Sequence, residues 1–357
     1  MRQSVCSVMH LESLIVKELK SGDALTPLPT TRDLGERFGV SHVTVSRILR
    51  KMAEEGRLWQ AHSGRYFPAE AEAQLSRPRP VGCLVRGMSG WAAWYDRIMT
   101  GISLGCEAEE RGILVHPVAD MVVQAAPDAP ASFLSKRRQR EVMERYIRRH
   151  AGAEQKLLLD DTWSDDVLRA YAEQLPPARL LLRTSPIERI PSLHADFAQG
   201  AMLGLSHLLG LGWRKILFVQ PYGNYPTTRE FERAFLAAFR AIGDVGLKFE
   251  VFNSDGAKRF GELARSLSAT QAEATALVCP EDNFSVSLLS ALRAAGLEVP
   301  RKIALLGAMG TSILADAGIS RLSVDFVELG RRAVLTRAKE WTGNLAVPFV
   351  LERDQTT

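Results

Sequence analysis

The feature that most constrains the fold is a short apolar run that recurs between residues 81 and 307 and alternates with helical patterns. The runs are VGCLVRG, ILVHPVA, KLLLD, RLLLR, KILFVQ, FEVFN, TALVC and KIALLG. Apolar runs of this length, without polar alternation, are typical of parallel strands that helices cover on both faces. The sequence therefore predicts an α/β fold, and six or more such units indicate two doubly wound lobes rather than one.

A different pattern precedes the strands. Residues 5–20 carry an apolar stripe at helical spacing, Thr30 has the position of an N-cap before a second helix, and Ser41 caps a third. The segment RLWQAHSGRYFPAE then predicts two short strands around a Ser-Gly turn. Three helices and this hairpin predict a winged helix-turn-helix domain over residues 1–68.

The remaining segments complete the predicted organisation. Residues 69–80 are a short linker stiffened by proline, and residues 81–357 form the two-lobed domain. Three of the four net positive charges of the 357-residue chain lie before residue 81. Most of the basic excess therefore sits in the small first domain, as expected if that domain meets a polyanion.

The third helix, within VSHVTVSRILRKMAEEG, has two unlike faces. One face is the apolar stripe of Val45, Ile48, Leu49 and Met52. The opposite face holds Val43, Arg47 and Arg50, with Thr44 and Lys51 on its flank. Arginines can bind guanine edges in the major groove and an outward valine can contact a thymine methyl. The alternative interpretation is a solvated basic helix face, and the outward valine favours DNA.

The segments SGDAL, LPTTRDLGERFGVSHVTVSRILRKMAEEGRLW and SGRYF resemble the GntR-type winged helix. With the chemistry of the side chains, this resemblance implies that the arginines of the third helix read bases, while serine, threonine and flanking arginines contact phosphates. The predicted DNA-binding residues are Arg32, Ser41, His42, Val43, Thr44, Arg47, Arg50 and Arg65. His42 departs from the family, which has arginine there, so this contact is expected to be weaker or pH-sensitive.

The second domain resembles the sensor domain of the LacI/GalR family, which is similar to periplasmic sugar-binding proteins. The resemblance rests on WYDRIMTGISLGCEAEERGILV, LHADFAQGAMLGLSHLLGLGWRKILFVQ, TTREFERAFLAAFRAIG and ATALVCPEDNFSVSLLSALRAAGLEVPRKIALLG. A winged helix joined to such a sensor resembles the arabinose-repressor arrangement. Two positions depart from the family pattern: Ala308-Met309 replaces an aromatic-aspartate pair, and Glu281 stands where asparagine is common.

The resemblance implies a sugar-like effector bound between the lobes. Arg229 and Asp282 are placed in loops after strands, at the end of a parallel sheet where ligands bind, although each could instead be a surface ion-pair partner. Aromatic side chains would cover the flat face of a sugar ring. The predicted effector-binding residues are Trp91, Tyr95, Arg229, Asp282, Asn253 and Phe284, with Trp163 a further lining candidate and Trp94 expected in the core.

Residues 135–150, SKRRQREVMERYIRRH, form a second basic helix. Its apolar seam and its glutamates at helical spacing favour a solvated crossover helix over a nucleic-acid contact. The sequence has no Gly-rich phosphate loop, HExxH or GxSxG motif, and its four cysteines are scattered, so no catalytic residue, cofactor or metal is predicted. The start, MRQSVCSVMHLES, predicts no secretory signal, and no apolar run suits a membrane.

These observations predict a cytoplasmic DNA-binding transcriptional regulator that acts as a repressor and is switched by a small molecule. A homodimer on a palindromic operator is expected, because one head makes few DNA contacts. The alternative is a cytoplasmic ligand-binding module whose first domain serves dimerisation or protein contact.

Overall fold

A computed structural model shows two compact units, Met1–Pro78 and Arg79–Thr357. The boundary falls inside the predicted linker. The structure describes residues 8–21, 26–61, 64–71, 79–86, 93–118, 122–123, 132–150, 154–221, 225–269, 274–337, 340–341 and 343–357.

The first unit, hereafter the head, begins with three helices, α1 (Val8–Ser21), α2 (Thr31–Phe38) and α3 (His42–Glu54). The predicted caps are confirmed. Thr30 and Asp33 form a capping box at α2, and the Ser41 hydroxyl accepts a hydrogen bond from the Thr44 amide at α3. Gly39 ends α2 in the left-handed region, at φ 66°. The head core includes Leu11, Ile15, Leu34 and the apolar stripe of α3.

The head ends with the predicted hairpin, β1 (Leu58–Gln60) paired antiparallel with β2 (Tyr66–Pro68). The Leu28 amide also donates to the Tyr66 carbonyl at 2.8 Å, which fastens the segment before α2 to the hairpin. Residues 69–71, assigned to the linker from the sequence, form a 3-10 turn with Ala71 buried. This small apolar side chain packs into the head, so the folded head extends beyond the predicted boundary.

The second unit contains two six-stranded sheets, which confirms the two predicted lobes. The lobe-one sheet is parallel throughout, in the order β15-β9-β8-β7-β3-β4. Its strands are β3 (Val81–Arg86), β4 (Ile113–Val118), β7 (Lys156–Leu159), β8 (Ala178–Leu181), β9 (Ser192–Ala195) and β15 (Leu345–Val347). Helices α4 (Ala93–Ala108), α5 (Lys136–His150) and α6 (Asp165–Tyr171), a 3-10 turn (Ala172–Gln174) and a small hairpin, β5 (Val122–Val123) with β6 (Ser132–Phe133), connect them.

The lobe-two sheet has the order β11-β10-β12-β13-β14-β16, parallel except for the last strand. Its strands are β10 (Lys215–Gln220), β11 (Lys248–Asn253), β12 (Thr275–Pro280), β13 (Ile303–Gly310), β14 (Ser320–Val324) and β16 (Phe349–Glu352). Its helices are α7 (Phe197–Gly210), α8 (Pro226–Ile242), α9 (Phe260–Ala269), α10 (Asp282–Ala294) and α11 (Ser312–Asp316).

The chain passes between the lobes three times, at residues 195–197, 324–326 and 347–349. After the second passage, α12 (Phe326–Leu335) returns to lobe one and packs along α4. Such shared connections place the carboxyl ends of both parallel sheets beside the passages, where α/β proteins bind ligands.

Other sequence predictions agree with the structure. On α5, Val142, Met143 and Tyr146 are buried and Glu141 pairs with Arg137 and Arg138, so α5 covers the sheet. Glu144, expected to pair with arginine, instead accepts from the Tyr171 hydroxyl. Cys83, Cys106 and Cys279 are buried free thiols. Among the described helices, none is long and apolar enough to span a membrane.

Candidate functional site

Helix α3 presents the face that the sequence predicted. Its apolar stripe is buried, whereas Arg47 and Arg50 are exposed and 64% of the Val43 surface is accessible. Within the part of the head that the structure describes, Arg47 and Arg50 form no hydrogen bond or ion pair. Two unpaired guanidinium groups and an apolar side chain on one helix face can contact guanine and thymine edges.

Acidic residues neutralise two other basic groups of the head, Lys51 and Arg57. Glu12 and Glu55 both lie within 4 Å of Lys51 and Arg57, at nitrogen–oxygen distances of 3.0 to 3.6 Å. The hydrogen bond and ion pair with Glu12 raise the pKa of Lys51, so this side chain stays charged and bound to Glu12. The positive charge of α3 is therefore concentrated at Arg47 and Arg50.

The start of α3 suits a phosphate. Ser41 and Thr44 bridge their hydroxyls at 2.9 Å, and Ser41 and His42 are exposed beside the first amides of the helix. Helix N-termini attract anions through these amides and the helix dipole. Arg32 is exposed in the first turn of α2, and Arg65 donates to the Leu28 carbonyl at 3.4 Å on the hairpin side.

Gly35 sets how closely α2 approaches the turn. A Cβ atom at this position would lie 2.9 Å from the Val40 carbonyl oxygen, and the Val40 amide already donates to the Gly35 carbonyl at 3.0 Å. Only a residue without a side chain allows this contact. Gly35 thus allows α2 to pack closely against the turn before α3, a role that spacing alone did not predict.

In the second unit, Arg229 and Asp282 lie at the starts of helices rather than in loops. Arg229 is in the first turn of α8, after β10, and Asp282 is the first residue of α10, after β12. Both positions are on the carboxyl side of the lobe-two sheet, as expected. Arg229 is exposed and forms no hydrogen bond or ion pair with the described residues.

Asp282 is buried, and its carboxylate accepts hydrogen bonds from Thr311. The Thr311 amide donates to both oxygens at 3.1 and 3.2 Å, and its hydroxyl donates to one of them. Burial raises the pKa of Asp282, while the Thr311 hydrogen bonds and the charges of Arg97 and Arg321 oppose that rise. Asp282 therefore positions the end of β13 next to basic residues.

A cavity of about 480 Å³ opens at the carboxyl ends of β13 and β14. Both lobes line it, since Arg97 comes from α4 and Thr311, Ser312, Arg321 and Ser323 come from lobe two. Arg97 is exposed and, among the described residues, forms no hydrogen bond or ion pair. Arg321 is paired with Glu352, and Glu352 and Asp325 also line the cavity, so its guanidinium, hydroxyl and carboxylate groups suit a polar small molecule.

A second group of polar residues joins the lobes. Asp161, fully buried after β7, accepts from the Tyr225 hydroxyl at 3.3 Å and from the Thr227 hydroxyl at the start of α8. The Thr184 amide and hydroxyl both donate to Glu230, at 3.0 and 2.7 Å. These contacts bridge the carboxyl ends of the two sheets and would change if the lobes moved.

Arg183 fixes the lobe-one side of this bridge. It is buried and donates to the backbone carbonyls of Asp161 and Trp163, at 3.1 and 2.6 Å, and it pairs with Asp165 at 2.7 Å. The sequence pattern did not reveal Asp161, Arg183 and Thr227, because their partners lie 18 to 66 residues away along the chain. Asp161 and Arg183 had one available signal, which was polarity just after an apolar run, and Thr227 had none.

The remaining predicted residues are not gathered at one site. Trp91 lies outside the described residues, and Tyr95 is buried beside Trp94, which packs in the core as expected. Asn253 is exposed at the end of edge strand β11. Phe284 packs edge-on against Phe260, and Trp163 is buried with its indole donating to the Leu84 carbonyl. Among the described residues, none of these side chains forms a hydrogen bond or ring contact with Arg229.

Two of the three residues that depart from the LacI/GalR pattern have an unusual backbone. Glu281 and Met309 adopt positive φ angles of 72° and 57°, a region that non-glycine residues rarely occupy. Both are buried at the ends of adjacent strands, and the Glu281 amide donates to the Ala308 carbonyl at 3.0 Å. Strained residues of this kind concentrate at functional sites.

Comparisons with known proteins identify relatives of the second unit. A sequence-family model described as a periplasmic binding protein-like domain matches residues 205–346. The uncharacterized HTH-type transcriptional regulator YvdE of Bacillus subtilis (strain 168) is 24% identical over 135 residues. That match spans 37% of this chain and 42% of the regulator, so the chain aligns with less than half of its curated relative.

Solved structures extend the likeness to most of the chain. A LacI transcriptional regulator from a Rhodococcus species superposes with a TM-score of 0.61 and 20% identity, over 77% of this chain and 98% of that one. The lac repressor dimer bound to operator and the anti-inducer ONPF gives a TM-score of 0.64 and 16% identity, over 82% and 99%. At these identities the likeness establishes the periplasmic-binding-protein-like fold. The two solved structures are of a LacI transcriptional regulator and of a repressor.

Proposed function

We propose that this protein is a DNA-binding transcriptional regulator whose head reads an operator and whose two-lobed unit responds to a small molecule. The observation that carries this proposal is the exposed face of α3, where Arg47 and Arg50 have no side-chain partner among the described residues and the capped N-terminus of the helix is suited to a phosphate. A head of this kind attached to a periplasmic-binding-protein-like unit supports a switch rather than a constitutive DNA-binding protein.

We also propose that the head is a winged helix-turn-helix domain of the GntR type. The Thr30 and Ser41 caps, the Gly35 contact and the hairpin are the local features expected of a winged helix-turn-helix domain. We further propose a cytoplasmic homodimer on a palindromic operator. Two heads double the phosphate and base contacts, and two-fold symmetry matches paired half-sites.

DNA binding by the full chain is expected to be salt-dependent. Each phosphate that the protein neutralises contributes about −0.9 to the slope of log K against log salt concentration. The measurement is fluorescence anisotropy with a duplex selected from a random pool, at several salt concentrations. A variant with both Arg47→Ala and Arg50→Ala is the test, and Arg57→Ala is the control, because Glu12 and Glu55 already neutralise Arg57.

Binding that shows no salt dependence, or is equal in the double variant and the wild type, would contradict DNA reading by α3. The exposed Val43 would then favour the alternative, a ligand-binding module whose head contacts another protein. Self-association or co-purification of the head with one protein partner would support that alternative.

The effector is proposed to be a sugar or sugar derivative that contacts both lobes, and repression is the proposed outcome in its absence. The cavity offers the guanidinium group of Arg97 and the hydroxyl group of Ser323 for hydrogen bonds to a sugar-like ligand. Arg229, whose guanidinium group has no partner among the described residues, lies on the same side of lobe two. Binding would favour one arrangement of the Asp161 and Thr184 bridges, and this preference would alter the DNA affinity of the head.

A ligand screen tests this half of the proposal. Monosaccharides, sugar phosphates and sugar acids are added to the full chain, and its thermal midpoint is recorded. A ligand at 100 times its dissociation constant stabilises the folded state by about 2.7 kcal/mol, a rise of several degrees. Arg97→Ala and Arg229→Ala should remove the rise, whereas the highly exposed Arg301→Ala should keep it. A rise that survives in both variants would place the ligand elsewhere.

A further inference from the structure

Lobe one holds a cluster of ligating side chains away from the passages between the lobes. His116 lies on edge strand β4, His150 is the last residue of α5, and Glu154 precedes β7. One ligating atom from each residue lies within 4.8 Å of the other two. The His116 and His150 rings are 4.4 Å apart between centroids.

The fold makes room for the carboxylate of this cluster. The Glu154 side chain is fully buried, and a Cβ atom at Gly82 on β3 would lie 2.8 Å from its Cγ. Its two oxygens contact His116 Nε2 at 2.8 Å and accept from the Tyr146 hydroxyl at 2.9 Å. Burying a carboxylate costs free energy unless its charge is paired. The space that Gly82 leaves for the Glu154 carboxylate therefore indicates that this buried charge has a function.

His150 distinguishes the cluster from an ordinary buried His–Glu pair. Its ring faces His116 and stacks near Tyr146 at 6.0 Å, yet the described part of the chain gives it no hydrogen bond. His150 is thus a third potential metal ligand beside His116 and Glu154, and it is half-exposed at the end of a helix. Two imidazoles and one carboxylate are a donor set that zinc and similar ions prefer.

A cavity of about 340 Å³ gives access to the two imidazoles. His116, Tyr146 and His150 line it together with Arg138, Arg145 and Arg149 of α5. The arginines repel a bare cation, so the Glu154 charge is needed to hold one, and an anion from solution is expected in the open fourth position. Tetrahedral zinc ligands lie about 3.3 Å apart, so the side chains need to move by about 1 Å.

We propose that His116, His150 and Glu154 bind one divalent ion of the zinc class, and that Tyr146 positions the Glu154 carboxylate. The site is independent of the proposed effector cavity, because it is confined to lobe one and shares no residue with that cavity. The ion would tie the end of α5 to β4 and to the start of β7, three elements that are otherwise separate in sequence.

The test uses the full chain freed of metal with a chelator and titrated with Zn²⁺ against a chromophoric competitor. One Zn²⁺ per chain is expected, with a rise in the thermal midpoint, and Co²⁺ should give the visible absorption of a tetrahedral site. His150→Gln should weaken binding by more than the roughly 10- to 100-fold that loss of a positioning partner costs, and Tyr146→Phe should fall within that range. His150 is the chosen variant because its loss leaves the His116–Glu154 contact intact.

His194→Gln is the control, since this half-buried histidine of the same unit lies outside the cluster. Unchanged Zn²⁺ affinity in this variant and weakened affinity in His150→Gln would support the site. Absence of saturable Zn²⁺ or Co²⁺ binding by the wild-type chain would overturn the proposal. So would equal affinity in wild type, His150→Gln and His116→Gln, provided that the variants keep a cooperative thermal transition.

Discussion

Gly330→Ala is expected to destabilise the two-lobed unit by about 3 kcal/mol or more. A Cβ atom at Gly330 on α12 would lie 2.1 Å from the Ile98 carbonyl oxygen of α4, and one at Gly101 of α4 would lie 1.9 Å from the Val327 carbonyl oxygen. The obstructing atoms are backbone, so no side-chain rotation can relieve the overlap. The two helices must separate along a buried interface.

The measurement is the urea midpoint of the full chain, with the slope of the transition checked for a change in mechanism. Gly210→Ala is the matched control, because it is the last residue of helix α7 and its Cβ would meet nothing within 4 Å. That substitution should be neutral or stabilising by up to about 1 kcal/mol. Equal midpoints for Gly330→Ala and wild type would contradict the close helix contact.

The same contact bears on the proposed switch. Helix α12 begins directly after the second passage between the lobes, and Lys156 of β7 donates to the backbone carbonyls of Ala333, Val334 and Thr336 near its end. Burial lowers the pKa of Lys156 to about 8. Helix α12 is thus anchored to lobe one by its contact with α4 and by Lys156 near its end, so motion at this passage is confined to the few residues between β14 and α12.

Local signals explain why the head could be predicted well. Caps, a left-handed glycine and an apolar stripe all act within four residues, so Thr30, Gly39, Ser41 and the buried face of α3 followed from spacing. The contact of Arg47 and Arg50 with base edges stays a prediction. The structure adds the neutralisation of Lys51 by Glu12, a contact 39 residues apart.

The two-lobed unit was less predictable because its sites depend on distant contacts. Apolar runs predicted most strands of the two sheets. Strand β9, with the sequence SLHA, has too few apolar residues to be predicted, and its pairing with β8 and β15 stabilises it. Arg229 and Asp282 were placed on the correct side of the sheet, yet at helix starts instead of loops. The contact between Asp161 and Thr227 joins segments from two different lobes, so no periodic pattern in the sequence could predict it.

Arg47→Ala is expected to reduce the preference for the operator over random DNA by about 1–3 kcal/mol per half-site, which is roughly 5- to 150-fold. The reason is that an exposed guanidinium group on α3 can bind two guanine acceptors at once, a contact that random DNA rarely offers. Arg65→Ala should instead weaken both DNAs alike and lower the salt slope by about 1 per head, as loss of a phosphate contact does. The measurement is the ratio of the two dissociation constants at one salt concentration.

Arg57→Ala again serves as the control, because this arginine belongs to the same head but is paired with Glu12 and Glu55. It should change neither the ratio nor the salt slope. Equal losses on operator and random DNA for Arg47→Ala would make Arg47 a phosphate contact and move base reading to Arg50 or Val43. A changed ratio in Arg65→Ala would mean that the hairpin reads bases too, so the comparison decides which element of the head carries specificity.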